Sequence, residues 1–150
     1  MEIEIVAGDI ARVEAGAAVV SFFEETKGLD GDIANIDRAL DGAVSRLVSR
    51  GEIKGKLGEI NVIHSLGKLP AAQVIIVGLG KKEKLTRDRI RGAMAEACRH
   101  LRKKRVGDIA TVAHGAGILG ITLEGSAQVI TEGALLGVYS FRKHITKKDE

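Results

Sequence analysis

A single cysteine, Cys98, excludes an internal disulfide, and a single proline, Pro70, marks only one loop. Aromatic residues make up 3% of the chain and tryptophan is absent, so the core has to be aliphatic. No basic-then-apolar leader opens the sequence and no apolar run reaches the length of a membrane span. Together these absences point to a cytoplasmic location. The four histidines, His64, His100, His114 and His144, have no second histidine, cysteine or paired carboxylate at ligand spacing, so no metal site is expected in this chain. Neither Ser65 nor Ser126 sits in a Gly-x-Ser-x-Gly frame, which removes the usual nucleophile elbow.

What is abundant is glycine, with 19 residues, about twice the usual frequency, so tight turns are expected throughout. The 150 residues are enough for one substantial core and too few for two. The formal net charge of +3 is mild, but the stretch Lys81–Arg105 sets eleven lysines and arginines against Glu83, Asp88 and Glu96. Such a patch can meet nucleic acid or an acidic partner, although exposed helix faces also favour Lys and Arg on propensity alone.

The pattern is that of strands alternating with helices. Val74–Val77 is short, continuous and β-branched, the mark of a strand buried on both faces at the middle of a sheet. Thr86 is placed to cap a helix whose apolar stripe is Ile90, Ala93, Met94, Ala97, Cys98 and Leu101, where Cys98 reads as a small buried hydrophobe. Further strands are expected at Glu2–Ala7, where charge and aliphatic residue alternate, at Ala17–Phe23, Ile60–His64 and Ile109–Ala113. One helix capped by Asp32 should run through Ile33, Ile36, Leu40, Val44 and Leu47 to stop near Gly51, and a last one should start near Ser126. Residues 142–150 lack an apolar period and read as a linker or tail after a domain of residues 1–141. The expected class is α/β, a mixed sheet covered by helices on two sides.

Gly115-Ala-Gly117-Ile-Leu-Gly120 matches Gly-x-Gly-x-x-Gly literally and follows a strand. In a dinucleotide fold the last glycine would already lie in a helix, and an acidic residue would end the next strand; here Ile121-Thr-Leu-Glu-Gly125 intervenes and the following region is helical. What survives is a glycine loop at Gly115, Gly117 and Gly120 whose backbone amides could hold a phosphate, set against a plain tight connection. His114, just before it, is the histidine best placed for function.

Three motifs, Lys54-Gly-Lys-Leu-Gly-Glu59, Val77-Gly-Leu-Gly-Lys-Lys-Glu-Lys-Leu85 and Glu132-Gly-Ala-Leu-Leu-Gly-Val-Tyr-Ser-Phe141, resemble in order and spacing the N-terminal domain of the leucyl (cytosol) aminopeptidase family. The resemblance implies a three-layer, macro-domain-like α/β/α fold with a mostly parallel sheet. It also implies a parent enzyme, a hexameric exopeptidase with two divalent ions, zinc or manganese, whose catalytic carboxylates and lysine lie in a C-terminal domain. This chain would then hold no catalytic residue and no cofactor, and would serve packing, assembly or regulation beside its own catalytic domain. Two alternatives go with the resemblance: a stand-alone macro-like module binding ADP-ribose or a nucleotide at Gly115, Gly117 and Gly120, and a DNA-binding module using Arg87, Arg91, Arg102 and Lys103 on the basic helix.

Overall fold

A computed structural model describes residues 8–149, with side chains described through residue 137. Its sheet has four strands, β1 (Ala17–Phe22), β2 (Ile60–His64), β3 (Gln73–Gly78) and β4 (Ile109–Thr111), in the order β2-β3-β1-β4. β1 runs parallel to both β3 and β4, with Val19 opposite Ile75 and Thr111, while β2 is antiparallel to β3, with Val62 opposite Ile75. The expected mixed, mostly parallel sheet is therefore present, and the β-branched run Val74–Val77 occupies an interior strand as its pattern requires.

The helices are α1 (Gly31–Ala39), α2 (Ala43–Ser49), α3 (Arg87–Lys103) and α4 (Leu123–Asp149), with 3-10 turns at Ile10–Arg12 and Lys82–Lys84. Alternation along the strands divides the core in two. Ala17, Val19, Ile75 and Val77 pack under α3 and α4 with Met94, Leu101 and Ile130. Ala18, Val20, Phe22, Val74 and Ile76 face the other way, onto Ile33, Ile36, Leu40 and Val44 of α1 and α2. Val74, Ile75, Ile76 and Val77 are each at most 1% exposed, which stabilises the fold by roughly 1.5–3 kcal/mol per side chain.

Thr86 caps α3 as its sequence suggests, accepting from the Arg89 amide at 3.2 Å, and all six residues of the expected apolar stripe are buried. Other boundaries differ. The single helix expected from Ile33 to Gly51 is broken, because Asp41 (φ 56°) and Gly42 (φ 80°) are left-handed and Asp37 turns its carboxylate onto the amide and hydroxyl of Ser45. Its N-cap position is Asp30, not Asp32. The apolar stripe passes across the break, which is why periodicity alone missed it. β4 ends at Thr111 rather than Ala113. α4 begins three residues before Ser126, since the Thr122 hydroxyl accepts from the Gly125 amide at 2.9 Å and makes a cap in a stretch that reads as loop. Its backbone continues to Asp149, so the helix takes in most of the segment that the sequence reads as a linker or tail. The strand expected at Glu2–Ala7 lies outside the described residues.

Candidate functional site

The parallel strands β1 and β4 end side by side, and the chain leaves both at that edge, the place where open α/β sheets form clefts. A cavity of about 230 Å³ lies there. Val20, Phe22, Val112, Ile33 and Ile118 give it an apolar lining, and Ser21, Thr26, Asp30, Asp32 and His114 are its polar side chains. Asp30 and Asp32 are exposed at the start of α1, and Asp30 makes no side-chain bond to the helix amides. His114 is 2% exposed. Its Nε2 lies 2.8 Å from Thr111 Oγ1, while its Nδ1 is buried with no hydrogen-bond partner. Burial pushes its pKa down to about 4, so the imidazole is neutral at pH 7. The carbonyl of His114 accepts from the buried Ser126 hydroxyl at 2.7 Å, which ties the strand end to the first turns of α4.

Of the three glycines singled out in the sequence, Gly115 lines this cavity, whereas Gly117 and Gly120 do not. All three have positive φ. The loop is closed on itself: the amides of Ala116, Gly117, Ile118 and Ile121 donate to the carbonyls of Ala113, Ile121, Gly115 and Ile118. Those four donors are thus engaged within the loop, whereas the amides of Gly115 and Gly120 are not among them.

The second glycine pair, Gly78 and Gly80, lies at the end of β3 against the loop 54–59. A Cβ on Gly78 would stand 2.0 Å from the Lys56 carbonyl oxygen, and one on Gly55 would stand 2.5 Å from the Phe23 carbonyl carbon. Main-chain bonds lace the two motifs together, Gly80 N to Gly55 O at 2.9 Å and Gly58 N to Gly78 O at 3.1 Å, and Glu59 Oε1 accepts from the amides of Lys54 and Gly55 and from Asn61 Nδ2. Two motifs far apart in sequence are one packed corner. The third motif has a similar origin: on α4 a Cβ at Gly133 would meet the Arg91 carbonyl oxygen at 2.4 Å, and one at Gly137 would meet the Ala95 carbonyl oxygen at 2.9 Å. Glycine there lets α4 lie on the backbone of α3.

The basic helix is less free than its composition suggests. Arg91 bonds Glu132 of α4 through Nε at 3.0 Å and Nη2 at 2.8 Å, and also reaches Asp88; Arg99 pairs with Glu96. The contact lowers the pKa of Glu132 and raises that of Arg91, chiefly through the hydrogen bonds the two groups share. Arg87 is exposed near Gly125 of α4, Arg102 is half-buried, and Lys103, Lys104 and Arg105 are exposed at the far end of the helix. The four residues Arg87, Arg91, Arg102 and Lys103 therefore do not form one open surface, because Arg91 is held between the two helices.

No group of three or more His, Cys, Asp or Glu side chains among the described residues could hold a metal ion. The donor set does not fit a two-metal centre, which needs several carboxylates converging on ions about 3.5–4 Å apart. No helix among the described residues is long and apolar enough to cross a membrane. No motif marks Asp30, Asp32, Phe22 or Phe23 as cavity residues; their only signal is position, in and after a strand that enters α1 through a long loop.

In solved structures the same architecture appears in the macrodomain of Mycobacterium tuberculosis DarG, with a TM-score of 0.70 and 18% identity over 85% of this chain and 86% of that one. It also appears in the bottromycin maturation enzyme BotP in complex with Mn, with a TM-score of 0.60 and 23% identity over 83% of this chain and 23% of that one. These likenesses establish the fold. Among sequences, the chain is 36% identical over 146 residues to a probable cytosol aminopeptidase of Alkaliphilus oremlandii and 37% identical over 150 residues to one of Geobacter sp. strain M21. It spans 29% of the length of each. Residues 19–148 match the model of the cytosol aminopeptidase family, N-terminal domain, and the chain belongs to that family.

Proposed function

We propose that this chain is the non-catalytic N-terminal domain of a metallo-aminopeptidase, acting beside a C-terminal catalytic domain by packing against it and ordering the assembly. The observation that carries the reading is the extent of the match: essentially the whole chain aligns, yet only with 29% of the relatives. In the parent, two divalent ions would activate water and polarise the scissile carbonyl of a peptide's first bond, and the carboxylates to hold them would come from the other domain. This chain contributes a rigid body: a sheet sealed on both faces, a corner locked by Gly55 and Gly78, and a long helix α4 that continues to Asp149. Hexamer formation and residence in the cytoplasm belong to the same proposal.

Domain replacement tests it. The Geobacter sp. relative would be produced in three forms: whole, without the segment this chain matches, and with this chain in that segment's place. Truncation should lower the assembly state in mass photometry, and the replacement should restore it together with peptidase activity. A truncated enzyme that assembles and hydrolyses peptides as the whole one does would sink the assembly role.

A further inference from the structure

β2 is an edge of the sheet, and its outer side is bare among the described residues. Its antiparallel register sets Asn61 against Ile76 and Ile63 against Val74 of β3. Two bonds just beyond the strand, Gly78 N to Glu59 O at 2.8 Å and Ser65 N to Ala72 O at 3.1 Å, fix the phase of the ladder. Residues 59, 61, 63 and 65 therefore turn their main chain inward to β3, and Ile60, Val62 and His64 turn theirs away from the sheet. No loop or turn backbone among the described residues bonds to these three. Edges are normally guarded against a further strand by shortness, a charge or a proline. β4, at the other edge, has three residues, whereas β2 has five, Ile-Asn-Val-Ile-His, with no lysine, carboxylate or proline among them.

The surroundings of this edge give a second, independent indication. A groove of about 400 Å³ runs beside it, lined by Val62, His64 and Gln73 of the sheet and by His100 and Lys104 at the end of α3, with no carboxylate. Lys103, Lys104 and Arg105 are exposed there, and none of them forms an ion pair among the described residues. The nearby acids are engaged elsewhere: Glu96 pairs with Arg99, and Asp108 accepts from the Gly16 amide at 3.0 Å. An unguarded strand edge thus adjoins positive charge that nothing on this face offsets.

We propose that β2 takes up an acidic extended peptide as a further, antiparallel strand, its main chain paired with Ile60, Val62 and His64 and its carboxylates set over the groove toward Lys104, His100 and His64. A sequence that alternates acid and aliphatic residue suits this edge, because every second side chain falls on the groove face. A second copy of this chain would bring another basic groove to the same edge, so like charges oppose that pairing. A nucleic acid would answer the charge but leave the outward amides and carbonyls of β2 without a ladder and Val62, 36% exposed, uncovered. Every group named belongs to this chain, so nothing here depends on the aminopeptidase reading.

The test is a ¹H–¹⁵N NMR titration of the chain with an acetylated, amidated peptide of alternating Glu and Val. Three controls go with it: the same peptide N-methylated at its Glu residues, a peptide of alternating Lys and Val, and a short DNA duplex. Directly paired residues share a face of the sheet, so the Glu amides are the ones that meet β2 and methylation removes those donors. In the free chain the amides of Ile60, Val62 and His64 should exchange with solvent fast and those of Asn61 and Ile63 slowly. The Glu-Val peptide should shift and protect the three outward amides, bind more weakly with added salt, and lose about tenfold in affinity in the K103E/K104E variant. Both lysines are exposed, and an unchanged spectrum away from the end of α3 shows that the variant is folded. A Val62 amide already protected in the free chain, equal binding of the N-methylated or the Lys-Val peptide, undiminished binding in K103E/K104E, no response to the Glu-Val peptide, or tighter binding of DNA at the same amides would each overturn the proposal.

Discussion

Replacing Gly133 by alanine should destabilise the protein, although alanine is the better helix former. Two effects oppose each other. In the middle of a helix, Gly to Ala is worth roughly 0.5–1 kcal/mol in favour of folding. At Gly133, however, the added Cβ would stand 2.4 Å from the carbonyl oxygen of Arg91 and 3.0 Å from Cβ of Met94. The first neighbour is backbone of a long helix and cannot turn aside as a side-chain tip can, so α4 must lift from α3. Overpacking of this kind costs typically about 1–3 kcal/mol, and a backbone contact this short puts it in the upper part of that range. The balance is a net loss of about 1–2 kcal/mol, or a fall in Tm of roughly 2–8 °C for a chain of this length. Lifting α4 also strains the Arg91–Glu132 contact beside it. Gly92 in α3 is the control, since it is exposed and a Cβ there would meet nothing within 4 Å. Gly92→Ala should therefore gain the roughly 0.5–1 kcal/mol of propensity alone. Urea denaturation of the two variants decides the matter. If Gly133→Ala stabilises as Gly92→Ala does, the close helix contact is wrong.

Gly78→Ala places its Cβ 2.0 Å from the Lys56 carbonyl oxygen and should cost about 3 kcal/mol or more, seen as a large drop in the urea midpoint with faster proteolysis in the loop 54–59. His114 has a folded pKa lowered from 6.5 to about 4, so below pH 6.5 the unfolded chain takes up a proton that the folded one refuses. Stability should fall between pH 6.5 and 4 by up to about 3 kcal/mol, and His114→Gln should flatten that part of the profile. Glu132 is held below its ordinary value of 4.5 by Arg91, so its contribution is present above about pH 4.5 and is lost as pH falls through the folded value. Glu132→Gln should weaken this acid-side loss in a thermal melt series, leaving the profile near neutral pH parallel to that of the parent.

The strand at Gln73 is legible because its burial is nearly uniform, the strand at Ile60 because its residues alternate, and the buried face of α3 because its apolar stripe keeps the helical period. The break between α1 and α2 was not, because Leu40 and Val44 keep the helical stripe across Asp41 and Gly42 while the backbone turns left-handed. The start of α4 was hidden by Gly125, a residue that reads as loop until the Thr122 cap and the neighbouring Arg87 explain it. The glycine motifs marked the family, but their physical reason could not be read in one dimension: Gly78 makes room for the backbone of Gly55 and Lys56, Gly55 for that of Phe23, and Gly133 for Arg91 on another helix. The cavity was the least legible feature. Its carboxylates and phenyl rings come from the β1–α1 segment and its histidine from the end of β4, and no spacing rule joins them.

On the proposed reading, these 150 residues carry no peptidase chemistry of their own. That is tested most directly by incubating the purified chain with manganese or zinc and leucine p-nitroanilide, and by measuring metal bound after equilibrium dialysis. Release should be no faster than the metal-only blank, with no stoichiometric uptake of either ion. Release that scales with the chain, requires the metal and stops with a chelator would contradict it.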